Sequence, residues 1–356
     1  MNFKNKYILL KSFRYLLFPF SLIYGGVVML RNFCFDKKIF KSASFNFPII
    51  CVGNLATGGT GKTPMTEYLI ELLQNKYATA TLSRGYKRKT KGYALANDLT
   101  TALEIGDEPM QFHQKYPNVA VAVGEERIEA IPQILHDKPN TEVIILDDGF
   151  QHRTVKAGLN ILLTDYKNLY SRDLMLPAGD LRDVKASRKR ADIIVVSKCK
   201  SELSINEKIT IEKELKLLPT QKIFFTEILY SEPYHLFTNA KSNFGNANDV
   251  LLITGIANPK PLKQFVEEHV NSYDMLRYAD HHIFTSTDLK DIKKSFDKIK
   301  SANKLIITTE KDAVRLKKFE KELIEYPIFV MPIKQHFLFE EGDIFNKQIL
   351  NFINNF

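Results

Sequence analysis

Cysteine is scarce in this chain, and acid is nearly missing from its most basic stretch. Three cysteines occur in 356 residues, Cys34, Cys51 and Cys199. They lie far apart and match no disulfide framework or metal-site spacing, so a reducing compartment is the simplest reading. The first 41 residues hold one acid, Asp36, against Lys4, Lys6, Lys11, Arg14, Arg31, Lys37, Lys38 and Lys41. That accounts for +7 of the formal +9, and leaves the remaining 315 residues near neutral. A nucleic-acid binder spreads its basic surface over the folded domain, so no nucleic-acid partner is expected. Internal repeats and low-complexity tracts are absent. With 44% hydrophobic residues, the chain reads as ordinary globular domains, and its length suits two.

A long unbroken apolar run is also missing. Between Arg14 and Arg31 lie sixteen uncharged residues, interrupted by Pro19, Gly25 and Gly26. A spanning helix needs about 20 apolar residues. An interfacial anchor fits better, with apolar side chains in the acyl boundary and Lys and Arg among lipid phosphates. Each basic residue near an anionic surface adds about 1 kcal/mol. A cleaved signal peptide competes, but no small-residue cleavage site follows promptly. A core helix packed on the protein is the other alternative.

What is present begins at Pro48. Pro48 to Val52 reads as a buried strand, and Cys51-Val-Gly-Asn-Leu-Ala-Thr-Gly-Gly-Thr-Gly-Lys-Thr63 follows. Lys62 and Thr63 open a helix with Met65, Tyr68, Leu69, Leu72 and Leu73 at helical spacing. Strand, glycine loop, Lys-Thr and helix make a P-loop. Thr57, Gly58, Gly59, Thr60 and Gly61 form the cradle, whose glycines let backbone N–H groups turn toward one anion. The helix N-terminus adds partial positive charge. Lys62 reaches the β- and γ-phosphates, and the Thr63 hydroxyl is placed to ligate Mg²⁺. Ala56 stands where the strict pattern begins with Gly. The motif implies a bound nucleoside triphosphate with Mg²⁺ beside it.

Past residue 45, apolar runs at 48–52, 78–82, 119–123, 143–147, 160–164 and 192–197 alternate with helical stretches at 64–75, 107–116 and 125–136. This predicts an α/β fold: a mostly parallel sheet with helices on both faces. A polar stretch at 201–248 holds a helix near 205–217 and a strand near 222–228. The expected organisation is a membrane-associated segment at 1–40, a P-loop domain at 41–228, and a smaller α/β domain at 229–356. The second series is expected as strand 250–254, helices 260–270 and 287–299, strands 304–308 and 327–331, and a terminal helix at 343–354.

A second phosphate-site signal follows the run Val143 to Leu146. It ends in Asp147-Asp148-Gly149. In P-loop proteins such a strand end holds Mg²⁺ through an acid. Alone it would be a solvated turn; next to a P-loop the metal role is favoured. Ser83-Arg84-Gly85-Tyr86 follows a strand and reads as an anion-binding or a solvated loop. Gly106-Asp107-Glu108-Pro109 puts two acids at a helix start, where capping is the plain alternative. Gln151-His152-Arg153 follows the acidic strand end. Arg182 belongs to a basic cluster that could equally be surface charge. Asp280-His281-His282 sits in a loop after a strand-like stretch. Thr308-Thr309-Glu310-Lys311-Asp312 reads as a helix start with a capping role.

Taken together, these strings resemble the tetraacyldisaccharide 4′-kinase family. The resemblance is carried by Gly53-Asn54, Gly58 to Pro64, Ser83 to Tyr86, Gly106 to Pro109 and Leu146-Asp-Asp-Gly-Phe-Gln-His-Arg153. It continues through Leu176 to Gly179 with Leu181-Arg182, Arg190 to Asp192, Thr254 to Pro259, Asp280 to His282 and Thr309 to Ala313. It implies transfer of the ATP γ-phosphate to the 4′-hydroxyl of an acylated glucosamine disaccharide 1-phosphate. It also implies a two-domain α/β protein with the site in the cleft, an inner-membrane surface for the N-terminal segment on its cytoplasmic face, and no obligate protein partner. By similarity, Asp107 would be the catalytic acid–base residue and His281 its partner, with His282 the less favoured of the two histidines. Asp147 and Asp148 would serve Mg²⁺ and phosphate positioning, with Gln151 and Glu108 as further metal-site residues. Arg84, Tyr86, His152, Arg153 and Arg182 are the residues expected toward the acceptor.

Two rival functions leave marks that can be checked in the sequence. A membrane-surface ATPase of the partitioning type carries a Lys just before its Gly-Gly pair, where this chain has Thr57. A GTP-binding switch reads guanine through Asn-Lys-x-Asp, whereas the comparable strand here ends Ser197-Lys-Cys-Lys200.

Overall fold

The computed structural model describes residue 14, residues 16–242 and residues 244–356. Lys4, Lys6 and Lys11 of the basic segment, and Tyr15 at the head of its apolar stretch, lie outside the described residues.

The strands, in chain order, are β1 (Ala43–Ser44), β2 (Ile49–Asn54), β3 (Thr79–Ser83), β4 (Ala94–Leu95), β5 (Ala120–Val123), β6 (Val143–Asp147), β7 (Val155–Lys156), β8 (Leu159–Asp165), β9 (Ile193–Ser197) and β10 (Lys222–Tyr230). Then come β11 (Tyr234–His235), β12 (Asp249–Thr254), β13 (Ser272–Arg277), β14 (Lys304–Thr309), β15 (Ile328–Met331) and β16 (Ile333–Phe337). Nine of them form one sheet in the order β16-β10-β9-β8-β2-β6-β3-β5-β4. Every pairing is parallel except at the two edges, where β16 and β4 run antiparallel. Strands β2, β3, β6 and β9 are buried along their whole length, as central parallel strands covered on both faces must be. That is why they read as unbroken apolar runs.

The helices explain the cover. They are α1 (Phe18–Asp36), α2 (Lys62–Leu73), α3 (Ala102–Ile105), α4 (Asp107–Lys115), α5 (Arg127–Asp137) and α6 (Ile205–Leu215). Beyond these lie α7 (Lys260–His269), α8 (Ser286–Lys298), α9 (Glu310–Leu316), α10 (Glu320–Leu323) and α11 (Gly342–Asn354). One face of the large sheet packs Met65, Leu69 and Leu73 of α2 against Val52, Ile145 and Leu163. Other clusters fill its remaining faces around Ile131, Ile134 and Ile144, and around Leu162, Val196 and Ile211.

A second sheet has the order β11-β15-β14-β12-β13, parallel apart from β11. It has its own core, with Leu251, Ile253, Phe284, Ile292 and Ile306 on one side and Val250, Leu252, Val266 and Ile307 on the other. The chain is therefore two α/β units. The expected division at 228, with everything after it in the second unit, needs correction at its far end. Residues 333–337 pair with Thr226 to Tyr230 in the first sheet. Phe337, Phe345, Ile349 and Ile353 then join the first core, where burying each adds about 1.5–3 kcal/mol. Strand β16 escapes a sequence reading because it is a half-exposed edge strand, Ile-Lys-Gln-His-Phe, directly after Pro332.

Helix α1 is unbroken across Gly25 and Gly26, contrary to the expected interruption. Pro19 lies in its first turn, where a missing N–H costs nothing. The side of α1 toward the protein is polar. Tyr24 donates to the Arg182 carbonyl at 3.1 Å, Asn32 donates to Asp183 at 2.8 Å, and Arg153 donates to Asp36 at 2.6 Å. Leu22, Ile23, Val27, Leu30 and Phe33 face outward and are exposed. A core helix would do the reverse.

Candidate active site

The cradle is built where β2 ends. Register pairs Val52 with Asp147, so the tip of β6 lies beside the start of the Gly-rich loop. Gly58 and Gly61 adopt φ of 100° and 80°, a region where a side chain would be strained. Gly53 is required for a different reason. A Cβ there would come 2.5 Å from Phe150 Cβ, in the loop after β6. Asn54 donates to Thr60 Oγ1 at 2.8 Å and Ser197 donates to the Thr60 carbonyl at 2.8 Å, so β2 and β9 both brace the loop. Thr57 N–H donates to the Asp180 carbonyl at 2.7 Å. Lys62 and Thr63 form the first turn of α2.

The acidic tip is tied to the cradle. Lys62 Nζ lies 3.6 Å from Asp148 Oδ1, and Arg182 grips both Asp148 oxygens. Arg182 also donates to Asn54 at 2.6 Å. Asp148 has φ of 54°, a left-handed conformation that costs an L-residue about 1–2 kcal/mol. Burial works to raise its pKa, but the Lys62 and Arg182 cations outweigh this and hold it at about 2. Asp147 behaves oppositely. Burial first, then the Asp148 charge, push it up to about 6, while Thr66 donates to it at 3.2 Å. Gln151 donates through Nε2 to the Asn54 carbonyl at 2.7 Å, and its side-chain Oε1 is buried without a partner.

A second constellation joins the two units. Asp107 begins α4 after Gly106, whose φ is 95°. His281 lies in the loop beyond β13 with φ of 63°, its backbone N–H donating to the Gly255 carbonyl at 3.1 Å. Asp312 in turn holds Gly255, after β12, by accepting from its N–H at 2.9 Å. His281 Nδ1 lies 2.6 Å from Asp107 Oδ2. Arg315 of α9 donates through Nε to Asp107 Oδ1 at 2.7 Å and through Nη2 to Oδ2. Burial alone would raise the Asp107 pKa; hydrogen bonds from His281 and Arg315 outweigh it, and the net shift is down. Lys311 Nζ is 3.2 Å from His281 Nε2 and 2.8 Å from Glu108. Tyr86 sets its ring edge-on to His281, with centroids 5.6 Å apart. His282 turns away, bonding Asp288 at 3.0 Å and stacking on Tyr278.

The two constellations adjoin. Asp107 is followed by Glu108, whose charge helps raise Asp147. Beside the acidic tip lies positive charge. Arg127 is fully buried, with its Nε and Nη2 unpartnered. Burial lowers its pKa to about 10. Burial, followed by Arg127 and Arg84, pushes His152 down to about 4.

A family profile described as tetraacyldisaccharide-1-P 4′-kinase matches residues 13–354. A tetraacyldisaccharide 4′-kinase of Bacteroides thetaiotaomicron is 44% identical over 352 residues, which cover 95% of this chain and 92% of the relative. One from Flavobacterium johnsoniae is 46% identical over 341 residues, covering 96% and 97%. Among solved structures, LpxK from Aquifex aeolicus in complex with ATP superposes with a TM-score of 0.75 at 27% identity, covering 96% of this chain and 99% of that one. The chain belongs to the tetraacyldisaccharide 4′-kinase family.

Within this kinase the expected residues do not all converge. Asp107 meets His281, and Lys62 meets Asp148. Glu108 is engaged by Lys311 of the second unit. Arg153 is not brought to the cleft; it donates to the Asn32 carbonyl at 2.9 Å and its guanidinium lies over the Phe35 ring of α1. Arg182 is spent on Asp148 and Asn54 rather than left open. Arg127, Lys311 and Arg315 were missed. Lys311 and Arg315 stand four apart on one helix face, a signal that means something only once the facing partner is known.

Proposed function

We propose that this kinase transfers the γ-phosphoryl group of ATP to the 4′-hydroxyl of a tetraacylated glucosamine disaccharide 1-phosphate, a step of lipid A synthesis. The observation that carries the reading is the Asp107–His281 contact, made across the two units beside a P-loop and its acidic tip. In the reaction the 4′-oxygen forms a bond to the γ-phosphorus, the bond from that phosphorus to the bridging oxygen breaks, and ADP leaves. The hydroxyl gives its proton to the acid–base pair, with Asp107 as the base and His281 as its hydrogen-bonded partner. Lys62 and the cradle N–H groups hold the phosphates in place. Arg84 and Arg127, beside the neutral His152 ring, supply positive charge that suits an anionic acceptor, and Tyr86 stands at its rim.

The donors also fit Mg²⁺. The Thr63 hydroxyl, Asp147, Asp148 and the unpartnered Gln151 side-chain Oε1 are hard oxygen ligands. At buried Asp147, desolvation and the Asp148 charge outweigh the Lys62 cation. Among the described residues no group of three or more His, Cys, Asp or Glu is arranged for a metal, in keeping with an ion that is completed by phosphate oxygens. When bound, Mg²⁺ neutralises charge on the triphosphate. Glu108 stands behind this set.

The outward apolar face of α1, flanked by Arg14, Arg31, Lys37, Lys38 and Lys41, supports peripheral or monotopic seating on the cytoplasmic face of the inner membrane. The decisive experiment supplies labelled ATP and the acylated disaccharide monophosphate to the purified chain. Label should appear in a lipid bisphosphate. ATP hydrolysis that ignores the lipid and depends on dimerisation would instead mark a partitioning-type ATPase. Removing residues 1–35 should cut turnover of vesicle-held acceptor while ATP binding persists.

A further inference from the structure

One buried ionic junction lies outside the chemistry described above. Lys115, the last residue of α4, places its ammonium 2.9 Å from Glu67 Oε2 and 2.7 Å from Glu310 Oε1. Both carboxylates are about 95% buried. Glu67 lies on α2, the helix that begins with Lys62 and Thr63. Glu310 begins α9, the second-unit helix that carries Lys311 and Arg315. Gln111 donates to the other Glu67 oxygen at 3.0 Å, and the backbone N–H of Ile333 donates to Glu310 at 3.2 Å. Four elements thus meet at one ammonium: α2, α4, α9 and the start of β16.

Helix α4 is short, about 12 Å from Asp107 to Lys115. Both its ends are gripped by α9. Its first residue takes Arg315, its second takes Lys311, and its last takes Glu310. The signs fit an antiparallel pair, acid against base at each end. A slip of one turn, about 5.4 Å, would separate the end pairs together. Val314 of α9 packs in the same core as Met110 and Phe112 of α4. Beside Lys115 a cavity of about 320 Å³ lies between the units, lined by Gln111, Gln114, Tyr234, Val314 and Lys317 among others. Ion pairs span this gap.

We propose that Lys115 is a positioning residue: by linking Glu67 on the phosphate-loop helix to Glu310 on α9, it sets where the second unit presents His281 and Arg315 to Asp107. This rests on reading Asp107 and His281 as the acid–base pair. Lys115 stands at the far end of α4 from Asp107. It acts on turnover through geometry, and a displacement of about 1 Å at reacting groups can cost about 100-fold.

The test compares Lys115→Met, Lys115→Arg and Glu310→Gln in the full chain, with Asp107→Asn alongside. Lys115→Met should lower kcat about tenfold to 100-fold with ATP affinity within about twofold of the parent. Lys115→Arg should recover most of the loss, because the guanidinium reaches both carboxylates. Glu310→Gln keeps the Glu67–Lys115 pair and takes the charge out of the link to the second unit, so it should lower kcat without touching ATP affinity even if Lys115→Met fails to fold. Wild-type kcat in folded Lys115→Met or Glu310→Gln, with Asp107→Asn inactive, overturns the positioning role alone. A parallel fall in kcat and ATP affinity marks a merely structural residue and also overturns it. Full turnover in Asp107→Asn overturns the acid–base reading beneath.

Discussion

The two ends of the cleft are assembled differently. The phosphate end lies within one sheet. Asp147 stands beside Val52 by strand register, and Lys62, Asp148, Asn54, Arg182 and Gln151 reach each other within the first unit. The Asp107–His281 end is a meeting of distant parts. His281 and Arg315 come to Asp107 from 174 and 208 residues away, on a separate sheet with its own core. The first is preorganised by backbone pairing within one unit. The second exists only while the units are correctly placed. Substrate-driven closure couples binding to chemistry in just such two-part sites. The comparison therefore predicts that damage at one end should spare the measurement that reports the other.

The strongest way to break that separation is Asp107→Asn. Loss of a general base costs about 10²- to 10⁴-fold, so single-turnover phosphoryl transfer should fall by that range. ATP affinity by calorimetry should stay near the parent value. A comparable loss of nucleotide binding would merge the two ends into one unit. Lys62→Met should give the opposite pattern, with transfer falling about 10²- to 10³-fold and nucleotide affinity falling with it.

Arg315→Lys sharpens the point. The guanidinium meets both Asp107 oxygens and the His282 carbonyl at 2.9 Å. An ammonium cannot reproduce that fork. Turnover should therefore drop about tenfold or more even though charge is kept, because a desolvated hydrogen bond to charge contributes about 1.5–3 kcal/mol. Retention of full kcat in Arg315→Lys would show that charge alone suffices.

The same contrast decides what could be read from sequence. The phosphate end was legible because its parts are contiguous. Strand, glycine turn, Lys62 and Thr63 follow one another, and Asp147-Asp148 ends an apolar run. The second end was legible only where a string announced itself, as with Asp280-His281. Thr309-Glu310-Lys311-Asp312 reads as a helix start, and Thr309 does cap Asp312 N–H at 3.1 Å. Yet Lys311 and Arg315 on the same turns carry the contacts to His281, Glu108 and Asp107, and capping chemistry says nothing of them. Arg127 looks like an ordinary polar residue at a helix start; its burial is decided by elements far away in the chain. Arg153 sits inside the most specific string and still turns to α1. Helix α1 shows the converse error. Gly25 and Gly26 read as interruptions, but propensity is a weak prior. Gly25 is placed where a Cβ would touch Met175 at 3.6 Å.

Smaller effects are expected where the acceptor meets positive charge. Removing one buried cation from a wall with others left should cost acceptor binding about tenfold, near 1.4 kcal/mol. Arg127→Met should therefore raise the acceptor KM by about that factor and leave ATP affinity alone. A fall in ATP affinity of the same size would move Arg127 to the phosphate end.

The finest probe is His152. Burial, then the Arg127 and Arg84 charges, hold its pKa at about 4, below the usual 6.5. The fold thus prefers the neutral ring. Any stability this brings is present above pH 6.5 and is lost as pH falls toward 4, because the unfolded chain takes up the proton first. The imidazole C2–H resonance should titrate with a midpoint near 4, and His152→Asn should flatten the fall in Tm between pH 6.5 and 4. An anionic acceptor bound on the wall would offset Arg84 and Arg127 and move the midpoint upward. ATP held by the cradle alone, farther along the acidic tip, should move it less. An equal upward shift with either ligand would mean that the positive wall serves the triphosphate, and the division between the two ends would have to be redrawn.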